Sequence, residues 1–167
     1  MKKIFHIALL LFLLGETNYS QTVFSSQNAS ASAYLIVPLS ITATIGDLDF
    51  GNIFITGSSS KIDITPREGK LFIVTGHPGR DVTFAFEDVS MDNASWAVTT
   101  GGVVDNLTFI PEVQLEDGSK IKSGKSKELI LDGSVGKLNV WVGGNIKIGS
   151  KQEVGDYIGR FTLNVNY

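Results

Sequence analysis

Apolar and polar residues alternate with a period of two along most of this chain. Alternate side chains of an extended strand face opposite sides, so this pattern predicts half-buried strands and not amphipathic helices. From Ala29 to Ile45 every odd position is apolar, while Ser30, Ser32, Ser40, Thr42 and Thr44 fill even ones. Pro38 cannot donate to a ladder, so two strands are expected, Ala29–Val37 and Leu39–Ile45. Leu48 and Phe50 point inward, followed by an Ile62/Ile64 alternation. Leu71-Phe72-Ile73-Val74 is a continuous apolar run, consistent with a strand covered on both faces. Val82, Phe84 and Phe86 alternate cleanly, and Trp96 with Val98 forms a shorter segment with Trp96 in the core. Leu107, Phe109, Val113 and Leu115 follow, interrupted by Pro111, and then Leu129 with Leu131. Leu138, Val140, Val142, Ile146 and Ile148 hold one phase across Gly143-Gly144. In the closing stretch Tyr157, Phe161, Leu163, Val165 and Tyr167 lie on one side, with Gly155 and Gly159 in phase.

Glycine clusters separate these short runs, and none shows a sustained spacing of three to four. About nine or ten strands are expected, with essentially no helix after the leader. The fold class is therefore all-β, a sandwich or a barrel.

The first residues modify this picture. Lys2 and Lys3 precede an apolar run from Ile4 to Leu14, then a polar exit to Ser20. That pattern is a secretory signal peptide, and the run is shorter than the roughly 20 residues that span a bilayer. Cleavage is expected after Ser20. The organisation is then a signal peptide at 1–20, a mobile extension at 21–30 and the sandwich at 31–167. The destination is the periplasm, the cell surface or the extracellular medium.

Removing Lys2, Lys3 and Glu16 with the leader leaves 12 basic and 16 acidic residues, a net charge of −4. No basic cluster occurs, which argues against a nucleic-acid partner. No second apolar span follows the leader, so no membrane-spanning helix is expected. The chain has no cysteine, which excludes thiolate metal sites and a cysteine nucleophile.

Little else suggests chemistry. His77, the one histidine outside the leader, sits in the turn sequence G-H-P-G, with no nucleophile motif beside it. Asp47/Asp49, Glu87-Asp88 with Asp92, and Glu116-Asp117 match no calcium-loop spacing. Asn28-Ala29-Ser30, Asn93-Ala94-Ser95 and Asn106-Leu107-Thr108 fit the N-glycosylation pattern but receive no functional weight. No enzyme, metal or cofactor is expected. Trp141 is out of phase with the core residues of its run, so it faces outward as a candidate platform for stacking on a glycan.

Several segments carry a resemblance. They are Ala31-Ser32-Ala33 leading to Pro38-Leu39-Ser40-Ile41, Leu48 to Ile53, Gly76-His77-Pro78-Gly79 before the Val82/Phe84 alternation, Leu138 to Gly144, and Gly155 to Tyr167. In that order they resemble a family of exported bacterial domains of unknown function, number 4402 in its series. The resemblance implies a secreted protein with a single immunoglobulin-like or pilin-like β-sandwich and without known catalytic residues.

A looser similarity is to pilus subunits of the chaperone–usher route, which carry a glycine twelve residues before a near-terminal tyrosine. Gly155 and Tyr167 have that spacing. This similarity implies an N-terminal strand that completes a neighbour's sheet, with Val23, Ala29, Ala31, Ala33 and Leu35 filling pockets. It also implies self-assembly or other surface subunits as partners, and a periplasmic chaperone. The expected function is thus a non-enzymatic structural or adhesive protein, with a fimbria-like role implied by that similarity alone. The alternatives are a secreted carbohydrate-binding module using Trp141 and a small outer-membrane β-barrel.

Overall fold

The computed structural model describes residues 27–44 and 46–167. The chain divides into two units, Met1–Tyr34 and Leu35–Tyr167. In the first, residues 27–34 are exposed and form no strand. The second carries the fold.

Its strands are β1 (Ser40–Ala43), β2 (Ser60–Ile64), β3 (Lys70–Gly76), β4 (Asp81–Ala85), β5 (Val89–Asp92), β6 (Asn106–Leu115), β7 (Lys120–Ile121), β8 (Lys125–Glu128), β9 (Ile130–Asp132), β10 (Val135–Ile148) and β11 (Asn164–Asn166). A helix, α1 (Ala94–Thr100), lies between β5 and β6, and a 3-10 turn, Pro66–Glu68, lies between β2 and β3. The larger sheet runs β1-β3-β10-β6-β5, with β2 and β9 on β10 and β7 on β6. The smaller sheet runs β11-β4-β8. The strand pairings are antiparallel. Both sheets are open, so the architecture is an all-β sandwich and not a closed barrel.

β10 organises the larger sheet. Its even positions from Gly136 to Ile148 are all buried, as the alternation predicts. On one side it pairs first with β3, through Val142, and then with β2, from Gly144. Gly143-Gly144 is the point of that handover. The link between β2 and β3 turns back tightly there, leaving no room for a side chain. A Cβ on Gly143 would lie against Ile64 O and 2.6 Å from Pro66 N. Gly144 has φ of 143°, and a Cβ there would sit 2.7 Å from the Phe109 ring.

Two apolar clusters fill the interior. The first joins Val74, Val113, Leu138, Val140 and Val142 of the larger sheet to Val82 and Phe84 of the smaller one. The second contains Leu107, Phe109, Ile146 and Ile148, from the other end of the larger sheet. Phe161 packs against both. Its ring lies 6.3 Å from Phe72, 6.3 Å from Phe86 and 6.1 Å from Phe109. Edge-on and tilted geometries of this kind suit the aromatic quadrupole.

Three expectations need correction. First, Trp96 and Val98 belong to α1 and not to a strand. Trp96 is half-buried, and Val98 is 84% exposed. Seven residues make barely two turns, too few for helical periodicity to show. The end signal was present: Gly101 takes the left-handed conformation and, with Gly102, donates to Ala97 O. Second, residues 27–39 form no strand, and Leu39–Ile45 contributes only Ser40–Ala43 (Ile45 lies outside the described residues). Alternation states which faces a strand would have, but not whether an edge is present to pair with it. Third, the closing segment is not one long ladder. It meets β5 at a single bridge between Asp92 and Ile158, then crosses to the other sheet and pairs with β4 only at Asn164–Asn166.

Replacing Gly143 by alanine forces a methyl group into backbone. The expected cost is about 1–3 kcal/mol, read as a lower denaturant midpoint with an unchanged slope.

Candidate assembly interface

The second cluster lies where the larger sheet extends beyond the smaller one. Instead of strands, two irregular segments cover it: 46–59, which contributes Leu48, Phe50 and Ile53, and 149–163, which contributes Tyr157 and Phe161. They leave a groove of about 680 Å³ between them, with Leu107, Ile146 and Ile148 in its lining. Phe54 (87% exposed) and Val154 (58% exposed) also line it.

The two walls differ in how they are held. Among the described backbone hydrogen bonds, residues 46–59 neither donate nor accept. Gly51 N reaches only the side chain of Asp49, at 2.8 Å. This wall presents peptide groups that a further strand could pair with.

The opposite wall is pinned. Asn93 is fully buried at the entrance to α1. Its Nδ2 donates to Val103 O (3.1 Å) and Val154 O (3.0 Å), and its Oδ1 accepts from Asp105 N (2.7 Å). The Asp105 carboxylate accepts from Asn106 N (2.8 Å), Glu153 N (3.0 Å) and Gln152 Nε2 (2.6 Å). Tyr157 Oη donates to Glu153 O at 2.8 Å. Gly155 is required where the wall crosses Asn93 and Trp96: a Cβ there would lie 2.8 Å from Asn93 Cβ and 3.0 Å from the indole. The backbone amide of Glu153, then that of Asn106, holds Asp105 below the usual carboxylate range. Burial raises the Tyr157 phenol above its usual value.

The candidate assembly residues fall in separate places. Val23 lies outside the described residues. Ala29, Ala31 and Ala33 are exposed, and Leu35 is 84% exposed. In the closing segment the predicted phase is retained without the ladder. Leu163 is buried, and Tyr157, Phe161 and Val165 are half-buried. A Cβ on Gly159 would lie 2.7 Å from Met91. Tyr167 is 40% exposed, but its hydroxyl accepts from His77 N (2.7 Å) and donates to Val37 O (2.6 Å). His77 Nδ1 in turn accepts from Val37 N at 3.4 Å. The terminal tyrosine thus ties the G-H-P-G turn to the approach to β1.

Trp141 is half-buried, and the Arg67 guanidinium sits 3.8 Å from its ring centroid, a cation–π arrangement. Arg67 Nη2 also donates to Glu116 O at 2.6 Å. Among the described residues no cluster of three or more His, Asp or Glu could hold a metal ion, and no helix is long and apolar enough to cross a membrane.

The sequence pattern marks Leu48, Phe50, Gly155 and Tyr157, but not the groove they border. It also misses the Asn93–Asp105–Gln152 knot. Asn93 stands out only within a glycosylation pattern, and no local spacing links it to Val154.

The Asp105 anchor makes its wall sensitive to acid. Asp105 has a depressed pKa, so its stabilisation is complete above the ordinary carboxylate pKa and is lost as pH falls through its lower folded value. The protection factor of the Glu153 amide, its exchange rate relative to that of an unstructured amide at the same pH, should therefore fall only in that acid window. Asp105→Asn should abolish the pH step and leave the amide less protected at neutral pH. At the other end of the chain, Tyr167→Phe removes both hydroxyl bonds and should cost about 1 kcal/mol, measured by denaturant unfolding.

Comparison with curated proteins gives no match. A family model described as Domain of unknown function (DUF4402) matches residues 39–167, from just before β1 to the last residue of the chain. The match spans the sandwich, including both groove walls and the terminal tyrosine. The chain belongs to the DUF4402 family.

Proposed function

We propose that this protein is an exported, non-enzymatic structural subunit of a surface assembly, joined by strand addition through its N-terminal segment. Main-chain pairing would supply affinity, and alternate side chains would supply register.

One observation carries the reading. Ala29, Ala31, Ala33 and Leu35 keep strict strand alternation, yet they are exposed and belong to no strand. A sequence with the faces of a strand and no ladder among the described residues is suited to a ladder in another molecule.

The edges of the sandwich support the same reading. β8 carries Lys125 and Lys127, and β2 carries Lys61, charges that blunt an edge against pairing. The β5 edge is engaged at Asp92 by Ile158. β1 and β11, by contrast, consist of uncharged residues. The glycan-binding alternative draws less support, because Arg67 covers a face of Trp141 that a sugar ring would need.

Deleting Gln21–Ala33 tests the proposal. The expected product is a folded monomer with unchanged thermal unfolding that no longer forms polymers by light scattering. If the deletion unfolds the sandwich, the segment is an internal strand and the proposal fails.

A further inference from the structure

We infer that the groove between 48–55 and 152–157 seats the N-terminal segment of a second copy of this chain. The inference rests on the strand-addition reading and names its receiving site.

Charge is the first argument. From Gln21 to Gly46 the chain contains no Asp, Glu, Lys or Arg. The groove lining contains Asp49, Glu153 and Asp156 and no Lys or Arg. A segment bearing acids would be repelled there, and any charge pressed onto Leu107, Ile146 and Ile148 would lose its hydration. The N-terminal segment does neither, and it is the longest uncharged stretch after the leader.

Backbone pairing is the second. The 46–59 wall makes no described backbone hydrogen bond, although its side chains pack inward on the second cluster. An incoming strand would satisfy those peptide groups. The third argument is fit. Small side chains at Ala29, Ala31 and Ala33 let a backbone approach both walls closely, while Val23 and Leu35 supply larger anchors on the same face. Residues 21–34 extend to about 45 Å, enough to reach a neighbouring molecule.

The absence of cysteine makes a direct test available. Full-length Ala31→Cys and Val154→Cys proteins are exported separately, mixed under assembly conditions and oxidised. Val154 is exposed at the groove, so its replacement should be tolerated. The expected result is a disulfide-linked heterodimer that is lost when Ser32→Cys, on the opposite face, replaces Ala31→Cys. Polymers that form normally without a cross-link from Ala29→Cys, Ala31→Cys or Ala33→Cys overturn the groove and leave strand addition standing. A disulfide within single chains carrying both substitutions, at a dilution where no dimer exists, also overturns it. Absence of any polymer from the unmodified protein overturns the strand-addition reading and this inference with it.

Discussion

The larger sheet has more inner face than the smaller sheet can cover, and most features of this molecule follow from that mismatch. β10 alone runs for 14 residues with its even side chains buried throughout. The three-stranded sheet supplies Val82 and Phe84 to only one half of that face, where Leu138, Val140 and Val142 pack with Val74. The other half, with Leu107, Phe109, Ile146 and Ile148, is covered by segments outside the strands. Phe161 sits where the two regimes meet, its ring packed on Phe72, Phe86 and Phe109. Exposed apolar surface persists beside it because nothing in the described chain lays a strand there.

Holding an irregular segment over an apolar floor requires polar anchoring, since loops lack the ladder that satisfies backbone groups in a sheet. The 152–157 wall has this anchoring in Asn93 and Asp105, which together engage Val154 O, Glu153 N and Gln152 Nε2. In the 46–59 wall the hydrogen bonds described are local ones, from Gly51 N to Asp49 and between the Thr56 and Ser58 hydroxyls, and none ties it to the rest of the fold. One side of the groove is thus fixed and the other is left with pairing capacity.

The faces of the strands were legible in the sequence, and their partners were not. The phase of β10 survived across Gly143-Gly144 because burial selects residue type at every second position, whatever strand lies alongside. The closing segment shows the same phase at Tyr157, Phe161, Leu163 and Val165 while forming only a three-residue ladder. The Ala29–Val37 alternation carried no information about an edge to pair with. α1 was hidden by its length, although Gly101-Gly102 marked its end. The groove depends on segments far apart in the chain, brought together by a topology that periodicity does not encode.

The bond between Tyr167 and Val37 gives the molecule a mechanical character. Tension applied to the polypeptide ahead of Leu35 reaches that hydroxyl before it reaches the β1–β3 ladder, so the final residue acts as a latch against peeling. The four-residue ladder behind it, from Ser40 to Ala43, is a short second line of resistance. Pulling force entering ahead of Leu35 is therefore shared between the two sheets, passing through Tyr167 and the adjoining β11–β4 pairing into the smaller one.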